Sequence, residues 1–260
     1  MGLECMQIFP GSPRRYETFS LSEKEESDFQ NLLKKGEIYP IYFHASYLLN
    51  LASEDERIRK KSLKSLRDSL HLAYRLQLKG VIYHPGSPKG GIKKDAIERE
   101  ARSIKEILQE TPQDTALVVE NTAGVKKIGT DPKEVGYILE KVNSSRLKVC
   151  LDTAHSLESG NISSFSIEET EAWFSEWEKE VGAKNIALLH VNDSRTEAGS
   201  QHDRHENIGY GHIKREGFVN LMKNPKGKEV PWILEVPGFD GKGPDKENVD
   251  VLKKIREEVN

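Results

Sequence analysis

The chain has 260 residues, 36% of them hydrophobic and 31% charged, with a formal net charge of −3. No run approaches the roughly 18 consecutive apolar residues of a membrane span, and Met1-Gly2-Leu3-Glu4-Cys5-Met6 lacks the cationic and apolar blocks of a secretion signal. Two cysteines, Cys5 and Cys150, cannot build a disulfide framework, so a reducing cytoplasmic setting is expected.

Short runs rich in β-branched and aromatic residues predict strands at Met6–Phe9, Ile38–Phe43, Gly80–Tyr83, Ala116–Val119, Leu147–Leu151, Ile186–Val191 and Val230–Val236. Runs as continuous as Ala116-Leu117-Val118-Val119 read as strands buried on both faces, which means parallel strands. Amphipathic stretches fall between them, near Ser22–Lys35, Ser53–Leu78, Lys93–Gln109, Asp131–Val142, Ile167–Val181, Arg215–Met222 and Asp245–Glu257. The clearest is the second, where Leu63, Leu66, Leu70 and Ala73 repeat at helical spacing and Ser53 with Glu56 matches a capping box. Strand followed by helix, repeated without a break in composition, predicts one α/β domain over residues 1–260.

An open doubly wound sheet and a closed barrel both fit that alternation. The polar residues separate them, because His44, His84, Glu120, Asp152 with His155, His190 with Asp193, and Glu235 all stand at the C-terminal ends of predicted strands. An open sheet gathers ligands at one switch point, whereas a barrel gathers them from all its strands over one mouth. No glycine-rich phosphate-binding motif follows the first strand. The expected fold is a TIM (β/α)8-type barrel in which only seven strand–helix units are visible, the first being absent from the front.

Five of the eight histidines end or closely follow a strand: His44, His84, His155, His190 and His205. With Glu120, Asp152, Asp203 and Glu235 they put five imidazoles and four carboxylates at one rim, too many to crowd together without cations. Mixed His and carboxylate ligation without thiolates suits Zn²⁺ in a site that keeps open positions, with Mn²⁺ as a substitute. Nine ligands exceed what one metal uses. If one carboxylate bridges, they suffice for three.

At these residues the sequence resembles the endonuclease IV family of apurinic/apyrimidinic endonucleases. The resemblance lies in His44-Ala45-Ser46-Tyr47-Leu48-Leu49-Asn50-Leu51, His84-Pro85-Gly86-Ser87, Glu120-Asn121-Thr122-Ala123-Gly124, Cys150-Leu151-Asp152-Thr153-Ala154-His155, Leu189-His190-Val191-Asn192-Asp193-Ser194, Asp203-Arg204-His205-Glu206-Asn207-Ile208-Gly209 and Ile233-Leu234-Glu235, in the family's order. It implies a barrel with a trinuclear zinc cluster. His44, His84 and Glu120 would hold one ion, Glu120, Asp152, His190 and Glu235 a second, and His155, Asp203 and His205 a third. It also implies hydrolysis of the phosphodiester bond 5′ to an abasic site in double-stranded DNA, leaving a 3′-hydroxyl. Glu120 and Glu235 would be catalytic, the first orienting the nucleophile and the second accepting its proton.

Arg14, Tyr16, Tyr47, Leu48 and Arg204 are the expected DNA contacts, the arginines on phosphates, Tyr47 and Leu48 in the gap left by the missing base. The basic run Arg57–Arg67 reads as a solvated helix face. The family's first strand and helix have no counterpart here, so the first and last strands are expected to keep free edges. The protein is expected to be a monomer unless a partner supplies that strand. Two other readings are a sugar isomerase of the xylose-isomerase-like barrels, which needs no third metal, and an inactive, N-terminally truncated family member.

Overall fold

The computed structural model describes residues 1–36 and 38–259. Its strands are β1 (Met6–Ile8), β2 (Ile41–His44), β3 (Gly80–Tyr83), β4 (Ala116–Glu120), β5 (Leu147–Asp152), β6 (Ile186–His190), β7 (Asp193–Ser194), β8 (His205–Glu206) and β9 (Trp232–Ile233). Seven form one parallel sheet in the order β1-β2-β3-β4-β5-β6-β9, and β7 and β8 make a small antiparallel ladder above it. The helices are α1 (Glu23–Lys35), α2 (Glu56–Arg75), α3 (Lys93–Gln109), α4 (Pro132–Val142), α5 (Thr153–Ser159), α6 (Ile167–Val181), α7 (Lys214–Lys223), α8 (Pro225–Lys228) and α9 (Lys246–Val259). All seven strands expected from the sequence form, and the sheet curls into a nearly closed α/β barrel.

Alternation along each strand divides its side chains between two apolar clusters. Ile41 and Phe43, Val81 and Tyr83, Leu117 and Val119, Val149 and Leu151, and Leu189 join the helices in the main core. Tyr42, Ile82, Val118, Cys150, Leu188 and Ile233 form a second cluster inside the barrel, with Cys5 beside them. Burial on both faces is why these strands read as continuous apolar runs.

The sheet's ends, β1 and β9, are not paired strand to strand among the described residues. Side chains cross this seam instead: the Cys5 thiol donates to the Trp232 carbonyl at 3.1 Å. A cleft of about 700 Å³ opens there, lined by Met6, Tyr39, Val230, Trp232, Val249 and Leu252 among others.

In α2 the expected face is the one buried, through Leu63, Leu66, Leu70 and Ala73. Each such leucine contributes about 1.5–3 kcal/mol of burial. The expected capping box is not the one used. Asp55 is the N-cap, its carboxylate accepting from Arg57 N, while the Ser53 hydroxyl accepts from Asp55 N, too early in the chain to cap. The basic face of this helix is exposed and ion-paired, Lys60 to Glu56 and Lys64 to Asp68. Among the described residues no helix is long and apolar enough to cross a membrane.

Candidate metal centre

Side chains two residues apart on a strand share a face. Each inward apolar residue is therefore followed on the same face by a second inward residue, and on or just past six strands that residue is a candidate metal donor. Tyr42 leads to His44, Ile82 to His84, Val118 to Glu120, Cys150 to Asp152, Leu188 to His190, and Ile233 to Glu235. Pairing sets His44 opposite Ile82, Glu120 opposite Cys150, and Asp152 opposite His190, the last after a register shift between Val149 and Cys150.

The Glu120 carboxylate lies at the centre and is fully buried. Its Oε2 is 3.4 Å from His44 Nε2 and 3.1 Å from His84 Nε2, and its Oε1 is 3.0 Å from His190 Nδ1. His190 Nδ1 is also 3.3 Å from Glu235 Oε2. His44, His84 and Glu120 thus form one compact donor set, and Glu120, Asp152, His190 and Glu235 a second that shares Glu120, all donor atoms lying within 4.8 Å of one another in each.

Asp152 ends β5 and caps α5 in one step, its Oδ1 accepting from His155 N at 2.8 Å. The strand turns into helix without a loop, which swings His155 toward the centre. His155 Nε2 lies 3.5 Å and His205 Nε2 3.9 Å from Asp203 Oδ1, with His205 brought in by the β7–β8 ladder. The remaining donors close as two overlapping sets, Asp152 with His155 and His205, and His155 with Glu158 and Asp203.

Six buried donor atoms here have no hydrogen-bond partner: His84 Nε2, Glu120 Oε1, His155 Nε2, Glu158 Oε2, His190 Nδ1 and His205 Nε2. Buried nitrogens and oxygens are almost always paired in folded proteins. Orphans of this kind, imidazole and carboxylate facing one another, fit divalent cations of the zinc type. Supporting bonds to the main chain fix the rings. His44 Nδ1 donates to Ala45 O and His155 Nδ1 to Asn121 O, each at 2.9 Å, so both present Nε2 to the centre.

The electrostatics follow from the crowding. Burial opposes charge on Glu120, but the imidazoles of His190 and His84 reverse its effect and hold the carboxyl well below the usual range. Glu235 is held low against burial by His190, and Asp203 against burial by His155 and His205. Burial opposes charge on His155 as well, yet Asp152, Asp203 and Glu120 raise it well above the ordinary imidazole value.

Asp193, which the sequence groups with His190, serves a different purpose. Its carboxylate accepts from the backbone nitrogens of Ser194, Gly209, Gly211 and Ile213 at 2.8–3.0 Å, fastening the loop after β8. Gly211 is required there, because a Cβ would come within 2.2 Å of the Ser194 carbonyl.

Around the mouth, Tyr47 is 57% and Leu48 42% exposed. The Tyr47 ring lies 5.6 Å from that of His44 and 6.3 Å from that of His84. The loop carrying Arg14 and Tyr16 packs on the same rim, with Tyr16 Oη donating to Leu48 O at 3.0 Å and Tyr47 N to Pro13 O at 3.0 Å. Arg14 and Arg204 are exposed.

Four side chains of this region escape sequence reasoning. Glu158 is buried, accepts from Ser194 Oγ and Arg204 N through Oε1, and leaves Oε2 orphaned beside Asp203. Lys127 Nζ lies 3.4 Å from Asp203 Oδ2. Asn192 braces two donors, giving a hydrogen bond to Asp152 Oδ2 at 2.6 Å and taking one from Glu235 N at 2.7 Å. Gln7 on β1 bonds both His190 and Glu235. The signal for Gln7 was its inward register two residues after Cys5; Glu158 lay on a helix that the sequence did not reveal.

A strand-end donor layer on a parallel barrel defines the class, and a family model described as xylose isomerase-like TIM barrel matches residues 1–255. "Probable endonuclease 4" of Carboxydothermus hydrogenoformans is 37% identical over 259 residues, covering 98% of this chain and 89% of that protein. The crystal structure of endonuclease IV from Thermus thermophilus superposes with a TM-score of 0.85 at 30% identity, over 99% of this chain and 90% of that one. A D-tagatose 3-epimerase-like protein shares the fold at TM-score 0.76 and 22% identity, over 100% of this chain and 91% of the other. The chain belongs to the endonuclease IV family of xylose isomerase-like TIM barrels.

Proposed function

We propose that this protein is a zinc-dependent DNA repair endonuclease, a single barrel domain that hydrolyses the phosphodiester bond 5′ to an abasic site and leaves a 3′-hydroxyl. Family membership makes it a nuclease of the hydrolase class. The observation that carries the finer reading is the convergence of His44, His84, Glu120, Asp152, His155, His190, Asp203, His205 and Glu235 into overlapping donor sets with orphaned atoms between them. Three zinc ions per chain, with Mn²⁺ as substitute, match that donor number and chemistry. Bound divalent cations make water a nucleophile near neutral pH and offset the charge that gathers on phosphoryl oxygens.

The chain's own residues supply placement and proton transfer. Glu120, ionised and held between imidazoles from β2, β3 and β6, orients the attacking water in line with the phosphorus. Glu235, just past the end of β9 and kept ionised by His190, accepts its proton. Tyr47 and Leu48 occupy the gap in the base stack, while Arg14, Tyr16 and Arg204 meet the backbone. Extrusion of the sugar costs least where no base is stacked, which selects the lesion. A sugar isomerase would leave Asp203, His205 and His155 without a task.

The test is incision of a duplex oligonucleotide carrying one tetrahydrofuran abasic analogue, with and without chelator, alongside elemental analysis. Cleavage on the 5′ side, abolished by chelation and accompanied by close to three zinc per chain, is the expected result. Intact duplex with fully loaded protein would refute it.

A further inference from the structure

The donor layer has a seventh inward position, on β1, and it is filled by Gln7, two residues beyond the inward Cys5. Gln7 Oε1 lies 2.8 Å from His190 Nε2, and Gln7 Nε2 donates to Glu235 Oε1. An ionised carboxylate can only accept, so the amide nitrogen must face Glu235 and the amide oxygen must face His190. His190 Nε2 therefore carries the ring hydrogen. Its Nδ1 faces Glu120 Oε1 at 3.0 Å and Glu235 Oε2 at 3.3 Å, and is the nitrogen left to ligate when a cation takes the place of its proton. Either a proton or a cation must lie among these three atoms, and a loaded metal centre supplies the cation.

His190 is reversed relative to its neighbours. His44 and His155 donate from Nδ1 to main-chain carbonyls and offer Nε2, whereas His190 donates from Nε2 to a side chain and offers Nδ1. We propose that Gln7 is a positioning residue of the metal centre: its single amide locks His190 in the Nε2–H tautomer, making Nδ1 the ligand atom, and turns Glu235 so that Oε2 ligates. This rests on the metal-centre reading above. Main-chain anchors come with the fold, but this one depends on the side chain of a three-residue strand at the edge of the sheet. It ties the seam of the barrel to the second donor set.

Two measurements test it. In zinc-loaded wild type, long-range ¹H–¹⁵N NMR of the histidine rings should show His190 protonated on Nε2 and metal-bound through Nδ1; a proton on Nδ1 overturns the proposal. Zinc competition against a chromophoric chelator should show one class of site weakened about 10- to 100-fold in Gln7→Met, which removes both bonds. Gln7→Glu, which keeps an acceptor for His190 but sets a second carboxylate against Glu235, should show a loss in the same class. Melting of the metal-stripped variants checks that they fold, and the wild-type tautomer decides the matter if they do not. Wild type that loads zinc together with Gln7→Met of unchanged affinity overturns the role of Gln7 alone. Wild type that binds no zinc overturns the metal centre and this proposal with it.

Discussion

Tyr42, Ile82, Val118, Cys150, Leu188 and Ile233 fill one disc inside the barrel, and His44, His84, Glu120, Asp152, His190 and Glu235 fill the next, two residues further along the same strands. Most members of both discs are buried, yet burial acts in opposite directions on them. In the lower disc it removes apolar surface from water and stabilises the fold. In the upper disc it strips water from ionisable groups, and only the mutual attraction of imidazoles and carboxylates offsets that cost. Stability therefore resides in one layer and chemistry in the other, although a single pleat separates them.

The sharpest way to break this division is Glu120→Gln, which keeps the volume and removes the charge at the hub. Incision of the abasic duplex should fall by at least about 10³-fold, with fewer zinc ions retained and duplex binding by gel shift largely kept. Near-normal turnover would remove Glu120 from its role. Leu188→Ala makes the opposite cut, opening a cavity under the donors. It should cost about 2–5 kcal/mol in urea unfolding, while the folded fraction incises within a few-fold of wild type. If it abolished incision without loss of stability, the two discs would not be separable.

How much of this was legible in the sequence depends on local pattern. The parallel strands announced themselves because both faces are apolar, and the donors because each follows such a run. The β7–β8 ladder did not, since two-residue strands carry no periodicity. Nor did α5: Asp152 both ends a strand and caps a helix, and the seven residues of α5 are too few to show a helical period. That hidden turn also concealed Glu158, which is one helical turn beyond His155. The capping box was misplaced by two residues because Ser53 and Asp55 both suit an N-cap and only the backbone geometry chooses between them. Gln7 was overlooked for a chemical reason, as an amide does not register as a ligand even when it stands in a ligand's register.

Glu100 and Glu120 sharpen the comparison, since both are fully buried and their carboxyls move in opposite directions. Glu120 is surrounded by imidazoles and held low, whereas burial pushes Glu100, on α3 near the Gly86 backbone nitrogen, up to about 7 from 4.5. A carboxyl with a raised folded-state pKa binds its proton more tightly when folded. Its contribution to stability is complete below about pH 4.5 and is lost as pH rises through about 7. In metal-stripped protein, Glu100→Gln should match wild type at the acid end and exceed it by up to about 3 kcal/mol above neutrality. A difference between the two that does not vary with pH would show that Glu100 ionises freely.

A third tier lies above both discs, and it should respond most weakly. Tyr47 stands at the mouth with its ring against His44 and His84 and its backbone tied to the β1 loop at Pro13, so it is held in place yet remains exposed. An aromatic ring held rigid at a rim can replace a missing base in a stack, a contact worth about 1–3 kcal/mol. Tyr47→Ala should accordingly raise KM for the abasic duplex about 10-fold, change kcat less, and leave zinc content intact. Single-stranded abasic oligonucleotide offers no continuous stack to fill, so its KM should move less than that of the duplex. Equal losses on both substrates would mean that Tyr47 acts through the donors beneath it, which would join the third tier to the second.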